Sequence, residues 1–201
     1  MLYPDEKVSF ADFGLEHSAP GWCSLDWLSG FLDTSVVSEK YRTAADLLVD
    51  AVDENLPDTS TDAMFLPVMY LYRHSIELEL KSCVSSIFFD ERRQGKITKD
   101  KILRRHELLP LWRIVEEYCY KRWPNEDGQV VDNVDSLINE LHQMDPNGQS
   151  FRYHTNKKGV SVTGSYPSFS NLYQIQAALG AVLNFLSGVS SSAYEELVRD
   201  A

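Results

Sequence analysis

Arg73, Glu77 and Lys81 stand four residues apart in the stretch Tyr70-Leu-Tyr-Arg-His-Ser-Ile-Glu-Leu-Glu-Leu-Lys81. On a helix they form one stripe, and Tyr70, His74 and Leu78 form the next. Leu66, Met69, Ile76, Leu80 and Val84 surround them with apolar surface. Charge within such a helix is costly unless it is paired or put to use. Two uses fit these residue types: Arg73 can hold a phosphate, and His74 can shuttle a proton, because imidazole titrates near neutral pH. The structural alternative is that Glu77 pairs with Arg73 and Lys81, holding the helix and anchoring a loop.

A second group follows Gly148, where Arg152, Tyr153 and His154 are consecutive and Lys157 and Lys158 come soon after. The segment has no helical period, so it is expected in a loop, where functional side chains concentrate. An arginine, an aromatic ring and a histidine suit a nucleotide or an RNA end, through stacking plus phosphate contact. The alternative is that the arginine and tyrosine pack down on the body of the protein. His106 is a third candidate, either as a cap or carbonyl contact or as part of a binding site.

Other chemistries find no pattern. No helix carries Glu-x-x-His, and neither H-E-x-x-H nor any phosphate-loop or nucleophile-elbow motif is present. No metal and no cofactor are expected. Cys23, Cys83 and Cys119 are far apart, odd in number and without C-x-x-C, which suits reduced thiols in the cytoplasm. The N-terminal residues show no basic segment followed by an apolar one, so a signal peptide is not expected. The stretch Ala177–Leu186 is too short to span a bilayer, and no membrane partner is expected.

The charge of −11 is uneven: residues 1–62 hold thirteen acids and three bases, and the remainder holds seventeen and sixteen. The densest basic run is Arg92, Arg93, Lys96, Lys99, Lys101, Arg104 and Arg105. It reads as a phosphate-binding patch or as a solvated connector. The acidic N-terminal third opposes non-specific nucleic-acid binding.

The elements that must position these groups are helical. With 201 residues the chain can bury roughly 70% of its unfolded surface in one core. Residues 1–34 are irregular, but Phe10, Phe13, Trp22, Trp27 and Phe31 predict an arm that packs. Apolar periodicity then predicts helices over about 35–55, 62–92, 101–123, 128–144 and 168–187. Pro67 falls in the first turn of the second or kinks it, and Pro110 splits or bends the third. A short hairpin or extended loop is expected at 150–164. Gly188 and the serines after it are expected to end the last long helix before a short terminal one. The fold class is therefore an all-α bundle of about five main helices, one domain overall.

Three fragments occur in order: the Tyr70–Lys81 helix, His106-Glu-Leu-Leu-Pro-Leu-Trp112, and Phe151-Arg-Tyr153 with Lys157-Lys158-Gly159. Together they resemble the HEPN superfamily over roughly residues 37–186. The resemblance implies a small helical bundle, usually dimeric, of prokaryotic or phage-related defence or stress systems. Many such proteins are metal-independent RNases, and others are non-catalytic partners or scaffolds. The RNase members carry Arg, then four to six residues, then His. No histidine here has that spacing. If RNA is cut, Arg152 and His154 are the expected catalytic residues, with help from His74 or Arg73, and Glu77, Lys81, His106, Tyr153, Lys157 and Lys158 bind. The alternative is a dimeric interaction module, or an antitoxin-like inhibitor, with a protein partner.

Overall fold

A computed structural model describes residues 34–52, 58–89, 100–126, 128–153 and 171–199. Among these residues there are six helices and no strand. They are α1 (Thr34–Asp50), α2 (Asp58–Ile87), α3 (Asp100–Leu103), α4 (Leu108–Arg122), α5 (Gln129–Met144) and α6 (Leu172–Arg199). Five are long and α3 is a single turn, so the expected all-α bundle of five main helices is what forms. The N-terminal arm before Thr34, most of the 150–164 loop and the basic residues Arg92–Lys99 lie outside the described residues.

α2 is the central rod, packing against α1, α4 and α6. Its neighbours cover it on several sides, so Val68, Met69, Tyr72, Ile76, Leu80, Cys83 and Val84 are all buried. A helix buried all round must satisfy internally any polar side chain it carries. That condition decides the fate of Arg73 and Glu77. The other helices are amphipathic and each gives one stripe to the same core: Ala45 and Val49 from α1, Trp112 and Val115 from α4, Ile138 and Leu141 from α5, Val182 and Leu186 from α6. The Trp112 indole donates to Asp135 Oδ1 at 2.8 Å, and Asn139 Nδ2 donates to the same oxygen at 2.8 Å. The first bond pins α4 against α5, and the second, within α5, holds the carboxylate in place.

Four helix boundaries differ from expectation, the first being α1, which ends at Asp50 rather than near residue 55. α2 starts at Asp58, which places Pro67 well inside it. The third predicted helix does split, but at residues 104–107 rather than at Pro110. Pro110 sits in the first turn of α4, where its missing N–H costs nothing. Finally, α6 runs unbroken through Gly188 and the serines to Arg199. Packing overrides their weak helix propensity: Val189 and Ala193 are buried, and the Ser190 and Ser82 hydroxyls lie 3.1 Å apart. Asn171 caps the start of α6, its Oδ1 accepting from Gln174 N at 3.1 Å. By length and composition Leu172–Glu196 could cross a membrane. In this structure its Val182, Leu183, Leu186 and Val189 are packed into the core.

Candidate functional site

The polar stripe of α2 enters the core, as its position on the central rod requires. Arg73 is 1% exposed and Glu77 is 2% exposed. Arg73 Nη1 donates to Glu77 Oε2 at 2.7 Å, and Nη2 donates to the carbonyl of His106. Its Nε lies 3.0 Å from Asp145 Oδ2 and 3.4 Å from the Asp145 carbonyl. Among the described residues Asp145 Oδ2 accepts no directed hydrogen bond, so this contact is chiefly coulombic. All three guanidinium nitrogens are thus committed inside the protein. The expected phosphate contact by Arg73 is not made available by this placement. Its role is the structural one: it joins α2 to the 104–107 break and to the turn after α5.

Asp145 is completely buried. Its Oδ1 accepts from Gln149 N at 2.7 Å and Ser150 N at 2.9 Å, which folds the turn over Arg73. Gly148 closes the turn with φ +75°, and a Cβ there would lie 3.2 Å from Arg73 Nη1. Neither residue was among the sequence candidates. The run Asp145-Pro-Asn-Gly148 signals a helix stop, but nothing in it reveals that the aspartate also meets an arginine 72 positions away.

Glu77 is the second hub. Its Oε1 accepts from Lys81 Nζ at 2.8 Å and lies 2.9 Å from His106 Nδ1. Burial alone would raise this carboxyl, yet the hydrogen bonds from Lys81, Arg73 and His106 hold it below the ordinary carboxylate value. Glu77 is therefore ionised at neutral pH and can only accept. His106 must then donate through Nδ1, and in the neutral imidazole this puts the lone pair on Nε2. The His106 side chain is 62% exposed, whereas that of Lys81 is 14% exposed. The result is a wet imidazole whose tautomer and orientation are set by a dry carboxylate.

The 148–153 segment forms a second, adjoining surface. Arg152 Nε and Nη2 both donate to the Gly148 carbonyl, at 2.9 and 2.6 Å. Its guanidinium lies 5.6 Å from the centre of the Tyr70 ring. Tyr70 also stacks parallel to His74, at 5.9 Å and 5°. Tyr41 of α1 meets His74 edge-on at 4.4 Å. Burial pushes the His74 imidazole below its usual range, and the charges of Arg73, Lys81 and Arg152 act in the same direction, against Glu77. Tyr153 is 58% exposed, and Phe151 is buried and anchors the segment.

The structure thus brings Arg73, Glu77, Lys81 and His106 into one network, with Tyr70, His74 and Arg152 beside it. His154, Lys157 and Lys158 lie outside the described residues. Among the described residues no group of three or more His, Cys, Asp or Glu side chains could hold a metal. A separate cleft of about 460 Å³ lies between α1 and α6, lined by Ser35, Glu39, Arg42, Glu79, Asn184 and Ser187 among others. Searches with known proteins leave the arrangement to stand on its own geometry: no protein-family model matches this chain, nor does any curated protein or solved structure.

Proposed function

We propose that this chain is a HEPN-like protein of a prokaryotic or phage-related defence or stress system that cleaves RNA without a metal, with His106 as the proton acceptor. The observation that carries this reading is the 2.9 Å contact between exposed His106 and buried, ionised Glu77. A carboxylate that fixes the imidazole tautomer leaves Nε2 ready to take a proton from a substrate in solvent. Glu77 is the positioning residue, and Lys81 on the same oxygen adds positive charge at the edge of the site. Arg105, 58% exposed beside His106, and the exposed Arg152 suit a polyanionic strand.

In the proposed reaction His106 Nε2 accepts the proton of a ribose 2′-hydroxyl. The 2′-oxygen attacks the adjacent phosphorus and the P–O5′ bond breaks. The departing 5′-oxygen takes a proton from water or from the imidazolium just formed. The products are a 2′,3′-cyclic phosphate and a 5′-hydroxyl.

The test is incubation with single-stranded and structured RNA in excess chelator. Wild type should cleave and leave cyclic phosphate ends, and His106→Ala should be slower by about a hundredfold or more. Equal rates for the two proteins, or no cleavage of any RNA by wild type, would overturn the reading.

One observation favours a second reading, a non-catalytic dimeric interaction module. Tyr194 and Val198 are each 62% exposed and lie on one side of the last turns of α6. Light scattering on wild type and on Tyr194→Ser/Val198→Ser tests it. A dimer that the double variant abolishes supports it, and a wild-type monomer removes it.

A further inference from the structure

Arg152 combines two properties that rarely occur together on a surface. It is exposed, yet its guanidinium is held by two hydrogen bonds to one carbonyl and by the ring beneath it. Immobilising a long surface side chain costs conformational entropy. An ion pair would be the usual return, but among the described residues Arg152 makes none. What the immobilisation produces is a planar cation 5.6 Å from the centre of the Tyr70 ring, on a residue that is exposed and whose Nε and Nη2 are taken by the Gly148 carbonyl.

We infer that Arg152 and Tyr70 form a subsite for an unpaired nucleobase of single-stranded RNA, the base stacking on the outer face of the guanidinium. This inference rests on the reading of the chain as an RNA-acting protein, and adds where the strand is gripped. Guanidinium planes and aromatic rings are the stacking partners that unpaired bases use, and both tolerate any base. The Nη1 edge, left over by Gly148, can donate to the phosphate that follows the base. The neighbouring Tyr153 is 58% exposed and offers a second ring to the strand.

The position relative to His106 is fixed by one side chain. Arg73 holds the His106 carbonyl with Nη2, and the backbone of Gly148 packs against the same guanidinium. Gly148 in turn anchors Arg152. The base subsite and the proton acceptor are therefore joined through one buried side chain, the arrangement that positioning a gripped strand against a reacting group needs.

The test uses a short single-stranded 2′-O-methyl oligonucleotide, which cannot be cleaved through its 2′-oxygens, and an abasic backbone of equal length. Binding is read by fluorescence anisotropy. Wild type should prefer the base-bearing strand by about tenfold. Arg152→Gln and Tyr70→Leu should abolish that preference, and Arg152→Lys should not restore it, because lysine keeps the charge but lacks the plane. His106→Ala should retain it. Thermal melts matching wild type show that these variants fold. Equal affinity for the two strands, absence of binding, or a preference unchanged in Arg152→Gln would overturn the inference. Base-independent binding with cleavage would sink this subsite and leave the nuclease reading. Base-dependent binding without cleavage would do the reverse.

Discussion

Arg73 Nη1 lies 2.7 Å from Glu77 Oε2 one helical turn away, and both side chains are 2% exposed. The pair is not a surface ion pair worth a few tenths of a kcal/mol. It is the point where α2, the 104–107 break and the turn after α5 are held together. Losing one partner of a buried pair strands the other's charge, at about 3–5 kcal/mol. Arg73→Ala is expected to lower the urea midpoint accordingly. Arg73→Lys should recover little, because an ammonium cannot reach Glu77, Asp145 and the His106 carbonyl at once. Midpoints within error of wild type would mean that the network carries no stability.

Gly148 is constrained twice, by a left-handed φ of +75° and by the Arg73 guanidinium, 3.2 Å from where a Cβ would sit. Gly148→Ala should therefore cost about 1–3 kcal/mol in chemical denaturation. The displaced turn carries Arg152, so its stack on Tyr70 should loosen as well. A Gly148→Ala protein as stable as wild type would show that the turn relaxes without strain.

These two residues mark what could be read from sequence and what could not. The helix Gln129–Met144 follows directly from Val134, Leu137, Ile138 and Leu141, which repeat at three and four. The polar stripe of α2 was also plain, because i, i+4 neighbours are local. The 104–107 break was not. It depends on Arg73 taking a backbone carbonyl 33 residues away, which no local pattern encodes. Pro110 drew attention to the wrong place because a proline marks a helix start as readily as a break. Gly188 and the serines read as a stop by propensity, but the decisive facts were tertiary: Ser82 beside Ser190, and Val189 in the core. Glu77 and His106 were each legible as candidates, whereas their meeting across 29 residues was not.

Acid should destabilise the protein in two steps. Burial first lowers His74 and His142 from their usual 6.5, and Arg73 acts on both in the same direction. His142 Nδ1 is in addition buried without a hydrogen-bond partner among the described residues. A histidine lowered in the folded state favours the neutral form there, so the unfolded chain binds protons first as pH falls. Its stabilising contribution is complete above about pH 6.5 and is lost progressively below it, until the folded value is passed. Glu77, also lowered, keeps its contribution above its usual 4.5 and loses it below. Stability by urea titration should thus be flat between about pH 7 and 8, decline from about 6.5, and decline again below 4.5. His74→Phe keeps the ring between Tyr41 and Tyr70, and should flatten the first decline. A first decline of the same size in His74→Phe and His142→Phe would assign it to other groups.

Cys83 and Cys119 give a separate readout of the core. Both thiols are free and buried, Cys83 on α2 and Cys119 on α4. Burial pushes the Cys83 thiol well above its usual range and raises Cys119 to about 12. A thiol reagent needs the thiolate and a path to it, and the folded protein supplies neither. Both cysteines should resist an aromatic disulfide reagent at pH 8 and react at once in denaturant. Their slow native-state labelling should then proceed through opening of the α2–α4 core. Arg73→Ala is about 3–5 kcal/mol less stable by the argument above, and where labelling requires global unfolding it should react at least a hundredfold faster. If Cys83 and Cys119 label rapidly in folded wild type, α2 and α4 are not packed as described, and the buried Arg73–Glu77 network loses the dry surroundings that its energetics require.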